Sequence, residues 1–251
     1  MAGANVIPDG NDEIIAELPL IVEIIARTAR WVHPEAFRQL PVWSPWAARG
    51  LPVYDKTWCR RYTNTKRTTK QTIEKVEGNI AAGGALIAAL GVARPKPPNW
   101  TVCHIWGYDD PAYAKEGSIV RDRRYFSCVA NMVWLPTPLK GFTDALPEVK
   151  TMLRTCAFYL YDWACEAEGV RDEAESIRSG TIPSGYPQSW PCPDRPRLLP
   201  AGTAPFTPRV EDEIRKRKAR IRAMLADESL SCFPREEVQQ VLKFWRINLA
   251  P

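Results

Sequence analysis

Three side chains in the middle third of the chain, His104, Asn131 and Asp144, have the types needed to hydrolyse a phosphodiester. A histidine can take a proton from water, because its unperturbed pKa lies near neutrality. An amide can hold the imidazole in position, and a carboxylate can bind a cation that neutralises charge on the phosphate. The chain has one other histidine, His33, which precedes a proline and is expected to be structural.

The spacing of these residues predicts that two strands and a helix bring them together. Residues 100–107 are aromatic and β-branched and predict a strand, with His104 near its end. After a polar loop, residues 125–136 predict a second strand that runs into a turn at Asn131. Residues 146–168 have apolar side chains at helical spacing, which predicts a helix. In this order of elements the strand end, the turn and the helix start converge.

The segments VCHIWG and ANMVWLPTPLKGFTD, followed by a helix with LYDW, resemble the HNH, or ββα-metal, nuclease superfamily. Restriction-type and toxin-type bacterial HNH proteins carry similar blocks. The resemblance covers roughly residues 99–165. It implies a small ββα-metal core inside a protein that we expect to be α+β and mainly helical.

The resemblance also implies a role for each residue. His104 would be the general base that activates water. Asn131 would orient His104 through a hydrogen bond and brace the loop, and Asp144 would lie where a metal ligand is found. The implied cofactor is one divalent metal ion, Mg²⁺ or Mn²⁺ in the first place and Zn²⁺ or Ni²⁺ as alternatives.

Two residues depart from the superfamily pattern. Cys103 stands before the general base, where an Asp or His ligand is usual, and a thiolate prefers softer metals than Mg²⁺. Lys140 stands where a His or Asn ligand is common; an ammonium cannot bind a metal but can contact the scissile phosphate. The metal site would then consist of Asp144, Cys103 and waters, would use a residue aligned differently, or would be defunct.

Each of these features also has a purely structural interpretation. A histidine in an apolar strand is commonly a satisfied core residue, and an asparagine before an apolar run is a common turn residue. Thr143 or Asp144 could cap the following helix. The order and spacing of the features together favour the HNH-like fold over these separate explanations.

Basic residues cluster at 59–70, 120–124 and 215–222. The first two clusters, with Lys140, are the expected substrate-binding positions, because cations and hydroxyl groups contact phosphates. A solvated helix face is the alternative explanation for the third cluster. The candidate substrate-binding residues are Arg60, Arg61, Lys66, Arg67, Arg121, Arg123, Arg124 and Lys140.

The bulk composition suits a globular protein with an anionic partner such as DNA. The 251 residues are 45% hydrophobic and 25% charged, and the net charge is +5. The seven cysteines form no CxxC pair, so we expect reduced and mostly buried thiols. There is no apolar run long enough to cross a bilayer and no leader-like start. We therefore expect a cytoplasmic protein without a membrane span.

Further helices are predicted at 12–31, broken or bent at Pro19, and at 65–90, 209–226 and roughly 235–246. The expected organisation has four parts. These are an N-terminal helical region (1–98), the HNH-like core (99–168), a proline-rich linker or arm (169–208) and a basic helical segment (209–251).

Three functions remain open at this point. The first is a metal-dependent HNH endonuclease acting on DNA, restriction-like or toxin-like. The second is a catalytically inactive protein that keeps the HNH scaffold and binds nucleic acid or serves assembly, which Cys103 and Lys140 favour. The third is a protein-interaction module that docks through surfaces rich in tryptophan and proline.

Overall fold

The computed structural model describes residues 7–65, 67–93, 95–107, 119–196 and 198–250. Over these residues the protein is α+β and about 47% helical, with two small antiparallel sheets. This confirms the predicted α+β class, while the predicted HNH-like core stays a prediction. None of the described helices is both long enough and apolar enough to cross a bilayer.

The predicted break in the first helical segment is confirmed. Helix α1 (Gly10–Ile15) is followed by α2 (Leu18–Thr28). Pro19 lies in the first turn of α2, where the missing N–H costs no hydrogen bond. Sequence reasoning missed α3 (Pro34–Gln39). The ring of His33 caps this helix, because its Nδ1 accepts from the Glu35 amide at 3.1 Å.

The prediction of a helix over residues 65–90 is wrong in its first half. Strands β1 (Thr63–Thr65) and β2 (Thr72–Glu74) form an antiparallel hairpin there, and helix α4 covers only Ile80–Ala89. The threonines of this stretch are β-branched and favour extended backbone over helix. Gly91, with a φ of 66°, follows the end of α4 and adopts the left-handed conformation that glycine favours after a helix.

Strands β3 (Trp100–His104) and β4 (Met132–Pro136) form the second antiparallel sheet, in which His104 pairs with Met132. The first half of the predicted strand over 125–136 is wrong. Helix α5 (Arg123–Phe126) precedes a 3₁₀ turn at Val129–Asn131, so the strand follows Asn131 instead of leading into it.

The remaining elements are helical. Helices α6 (Lys140–Ala145) and α7 (Pro147–Tyr161) follow β4, and Asp162 in a left-handed conformation ends α7 earlier than predicted. Helix α8 (Arg171–Arg178) was not predicted. Helices α9 (Pro208–Ala226) and α10 (Arg235–Phe244) agree with the predicted positions.

A contiguous core contains buried residues from Ile21 to Val241. The proline-rich stretch 179–208 packs against this core. The ring of Trp190 meets Trp31 edge-on at 6.0 Å, and the Trp31 amide donates to the Gly202 carbonyl. A Cβ atom at position 202 would collide with the Ala29 carbonyl, so this close approach requires glycine.

Candidate functional site

The β3–β4 sheet places His104 and Asn131 at the same edge. His104 is the last residue of β3, and Asn131 immediately precedes Met132, the partner of His104 on β4. The antiparallel register therefore brings together two residues that are 27 positions apart in the sequence. The predicted proximity of the strand end and the turn is present in the structure.

The imidazole of His104 is held by the segment that follows α5. Its Nε2 lies 2.8 Å from the Phe126 carbonyl oxygen, and the ring stacks on the Phe126 ring at 5.4 Å with an 18° interplanar angle. A carbonyl oxygen can only accept, so Nε2 carries the proton in this contact. In the neutral ring this tautomer has its lone pair on Nδ1.

Asn131 braces the loop after β3, as predicted, but it does not hydrogen-bond His104. Its Oδ1 accepts from the Trp106 amide at 2.8 Å, and its Nδ2 donates to the carbonyls of Trp106 and Tyr125 at 3.1 and 3.2 Å. Both amide protons are therefore used by backbone carbonyls. Asn131 acts on His104 only indirectly, by fixing the Tyr125–Phe126 segment that holds the imidazole.

A small cavity of about 20 Å³ lies between the β3–β4 sheet and helices α6 and α7. That volume suits one water molecule. Four of the predicted site residues line it, together with residues that sequence reasoning did not connect to the site. The lining consists of Arg49, Asn79, Val102, Cys103, His104, Gly107, Val120, Lys140, Asp144 and Lys150.

Cationic side chains dominate this lining. Lys140 and Asp144, one turn apart on α6, form an ion pair. Lys150 on α7 is only 4% exposed. Arg49 donates to Asn79 Oδ1 at 3.1 Å, while its buried Nε–H has no hydrogen-bond partner within the described part of the chain. Among the described lining residues, three side chains, from Arg49, Lys140 and Lys150, are cationic and one, from Asp144, is a carboxylate, a balance that suits an anion.

Cys103 lies in the cavity wall as a buried thiol. Burial raises its pKa to about 11, a shift that a hydrogen bond with the Thr143 side chain and the nearby charge of Lys140 only partly offset. The thiol is therefore protonated at neutral pH. It packs β3 against α6 and does not supply a thiolate.

The described donor atoms around the cavity do not fit a divalent cation. Asp144 is paired with Lys140, and the cationic side chains of Arg49, Lys140 and Lys150 repel a metal ion. Among the described residues, no group of three or more His, Cys, Asp or Glu side chains is placed to hold a metal. The divalent cation stays a prediction.

Neither Thr143 nor Asp144 caps the helix after the site, so that structural interpretation is wrong. The Thr143 hydroxyl donates to the Lys140 carbonyl inside α6. Helix α7 begins at Pro147, with the apolar Leu146 in the N-cap position and no side-chain cap. Asp144 is instead available to the cavity.

The cluster at 120–124 borders the cavity through Val120, but two of its arginines are committed to the fold. Arg124 forms hydrogen bonds with the Asp122 carboxylate and lies over the rings of Tyr125 and Phe244. Arg123 donates to the Trp46 carbonyl at 3.2 Å. Arg121 is exposed beside them.

The cluster at 59–70 is on the β1–β2 hairpin and the approach to it. Arg60 and Arg67 are exposed, and Arg61 donates to the Glu74 carboxylate at 2.7 and 3.0 Å. Lys66, which we also predicted to bind substrate, lies outside the described residues. The third cluster lies on α9, where Lys216 pairs with Asp212 one turn earlier, as the solvated-face interpretation expects.

Sequence reasoning missed the contribution of α7 to the site. Lys150 and Arg154 are four residues apart on α7 and are its two cations among mostly uncharged side chains, and this pair is the signal that could have identified them. Arg154 Nε donates to the Ile105 carbonyl at 3.0 Å, and its guanidinium pairs with Glu173 at 2.7 Å. The guanidinium also lies over the Trp106 ring at 4.7 Å. Arg154 thus fixes the loop after His104 against α7 and α8.

Comparison with known proteins gives no assignment: neither a protein family model nor a curated protein nor a solved structure matches this chain. The resemblance to HNH nucleases therefore stays a prediction.

Proposed function

We propose that the protein is an HNH-type endonuclease, restriction-like or toxin-like, that engages a DNA phosphodiester at the His104 cavity. The observation that carries the proposal is that His104 on β3 meets Lys140 and Asp144 on α6 at one cavity. Arg49 and Lys150 enter the same cavity from other elements. Separate structural roles for these residues would not require them to meet.

The charge of the cavity supports the choice of a phosphate as the bound group. Arg49 has a buried N–H without a partner in the described structure, and Lys140 can exchange Asp144 for a phosphate oxygen. A phosphodiester would satisfy these donors through charge-assisted hydrogen bonds. Binding that depends on such contacts weakens steeply as the salt concentration rises.

His104 supplies the chemistry in this proposal. The imidazole of His104, held at Nε2 by the Phe126 carbonyl, would take the proton of an attacking water. The charge that develops on the phosphoryl oxygens faces Arg49, Lys140 and Lys150. The Asn131 carboxamide keeps the imidazole in place through the Tyr125–Phe126 segment.

A second function, binding of nucleic acid without cleavage, is favoured by the size of the cavity. About 20 Å³ holds a water molecule but not a phosphodiester, so the cavity must widen before the proposed reaction can take place. The Lys140–Asp144 ion pair also occupies a cation that catalysis needs.

The test compares His104→Gln with His33→Asn, a matched change at the other histidine that keeps a side chain able to cap α3. Plasmid DNA and RNA are incubated with each protein in Mg²⁺, Mn²⁺, Zn²⁺ or excess chelator. We expect His104→Gln to lose cleavage by about 100-fold or more and His33→Asn to cleave like the wild type. Equal cleavage by His104→Gln would rule out His104 as the base. Salt-sensitive DNA retention without cleavage supports the second function.

Asp144→Asn separates the role of the carboxylate as a partner of Lys140 from the predicted role as a metal ligand. Without the carboxylate charge, Lys140 is released toward the phosphate, so we expect tighter DNA binding in a retardation assay and no loss of cleavage. Loss of cleavage that depends on added metal, with unchanged binding, would instead restore Asp144 to the predicted metal site.

A further inference from the structure

Two exposed cysteines, Cys59 and Cys232, lie beside one shared hydroxyl group although 172 positions separate Cys59 from Ser231. Ser231 Oγ is 3.8 Å from the sulfur of Cys59 and 3.9 Å from the sulfur of Cys232. The remaining cysteines of the chain, at positions 103, 128, 156, 165 and 192, are buried. The fold therefore places both of its exposed thiols at one point on the surface.

The backbones of the two cysteines are held together independently of the thiols. The Cys232 amide donates to the carbonyl of Trp58, the residue before Cys59, at 2.8 Å. The rings of Trp58 and Phe233 pack edge to face with their centroids 5.1 Å apart. The Cα atoms of Cys59 and Cys232 are thus linked through one peptide unit and one hydrogen bond. Such a link is short enough for the roughly 4.4–6.8 Å that a disulfide spans between Cα atoms.

We propose that Cys59 and Cys232 form a reversible disulfide when the protein meets a hydroperoxide, so that this pair is an oxidant-responsive modification site. The disulfide ties the segment before β1 to the connection between α9 and α10. That connection contributes Leu230 and Phe233 to a small apolar cluster with α9 and α10, against which Trp58 packs. Oxidation thereby fixes the C-terminal helices to the hairpin region.

Cys59 is the residue that attacks the oxidant. Hydrogen bonds with Thr57 and Ser231 lower the pKa of its thiol, whereas burial raises the pKa of Cys103, Cys128, Cys156 and Cys165. A lower pKa increases the thiolate fraction, and the thiolate is the nucleophile. Exposure of both sulfurs gives the oxidant access.

The proposed reaction consumes one hydroperoxide for each disulfide. The Cys59 thiolate attacks the terminal peroxide oxygen, breaking the O–O bond and releasing an alcohol, or water from hydrogen peroxide. The product is a sulfenic acid at Cys59. The Cys232 thiolate then attacks this sulfur, and the hydroxyl group leaves as water after it gains a proton. Two thiols are oxidised, the peroxide is reduced by two electrons, and a dithiol reductant reverses the change.

The experiment treats the full-length protein with hydrogen peroxide, alkylates the remaining thiols and maps tryptic peptides by mass spectrometry. Cleavage after Lys and Arg places Cys59 in residues 57–60 and Cys232 in residues 223–235. We expect these two peptides to be joined, with loss of two hydrogen masses, and to separate after dithiothreitol. Cys59→Ser and Cys232→Ser should each prevent the cross-link. Oxidised protein should unfold about 5–10 °C higher than reduced protein, a difference absent from both variants.

Three results would overturn the proposal. Both peptides could remain separate and alkylated after oxidation, either cysteine could pair with one of the buried cysteines, or the cross-link could join two molecules, which would appear as a dimer on a non-reducing gel. Iodoacetamide labelling of the untreated protein provides the control for exposure: Cys59 and Cys232 should be modified before the other five cysteines.

Discussion

The β1–β2 hairpin and helix α7 both carry cationic side chains, but the two regions use them in different ways. On the hairpin side, Arg60 and Arg67 are exposed and form no ion pair with any described residue. On α7, Lys150 and Arg154 are 4% and 2% exposed. A buried charge is tolerated only with fixed partners, whereas an exposed charge is satisfied by water. The cations of α7 therefore define local geometry, and those of the hairpin do not.

This difference shows why clusters of charge in a sequence are an incomplete guide to a site. In the run at 59–70 the described residues are exposed. The run at 215–222 is exposed at most positions, but Arg217 lies over the rings of Trp43 and Trp46 and Ile221 is buried. The cavity beside His104 is instead lined by Arg49, Lys140 and Lys150, which come from three separate segments and form no run. An isolated cation in an apolar segment costs stability unless the fold uses it, so such residues are the more informative ones.

The largest loss of unfolding free energy is expected for Arg154→Met on α7. This change keeps much of the side-chain volume but removes the donors to the Ile105 carbonyl and to Glu173. Removing one partner of a buried ion pair typically costs about 3–5 kcal/mol of unfolding free energy. Urea denaturation followed by tryptophan fluorescence measures this loss. Arg178→Met on the exposed face of α8 is the matched control and should leave the midpoint nearly unchanged.

Equal midpoints for the two methionine variants would show that the buried cation of α7 is no more important to the fold than an exposed one. The comparison between α7 and the hairpin would then lose its basis.

A smaller effect is expected for Asn131→Ala. The substitution leaves the Trp106 amide and the carbonyls of Trp106 and Tyr125 without their buried partner, which should lower the unfolding free energy by about 2–3 kcal/mol. Asn248→Ala removes one exposed hydrogen bond, to the Ala250 amide, and is the control. If the unfolding free energy of Asn131→Ala equalled that of this control, water would be able to replace the carboxamide, and the loop after β3 would not depend on Asn131.

The sequence predicted the elements whose patterns are long and local. The apolar stripe of α7, the charged run of α9 and the short aromatic and β-branched run of β3 are each visible within one segment, and each element is present. The predictions were wrong where the propensities for helix and strand were close. The threonines before α4 form a hairpin, and α5 replaces the first half of a predicted strand.

The candidate site was also predictable only where its residues belong to a local pattern. Cys103, His104, Lys140 and Asp144 do line one cavity, because they flank a local sheet and the helix after it. Arg49 joins them through long-range packing, since its amide donates to the Val120 carbonyl across the chain. No local sequence pattern predicts the contact between Arg49 and Val120. The prediction that Asn131 braces the loop was correct, and the prediction that it hydrogen-bonds His104 was wrong. The partners of this side chain are backbone atoms, whose positions depend on the whole fold.

The smallest effect on stability is expected for Arg60→Ala combined with Arg67→Ala. This double variant also tests whether the hairpin binds DNA. Both side chains are exposed, so unfolding midpoints should stay within error of the wild type. If the hairpin contacts DNA in the proposed function, the slope of log binding constant against log salt concentration should fall by about two, one for each lost phosphate contact. Arg61→Ala should lower the slope less, because Glu74 already neutralises this cation. An unchanged slope in the double variant would exclude the hairpin from the interface and leave the cations around His104 as the candidate phosphate contacts.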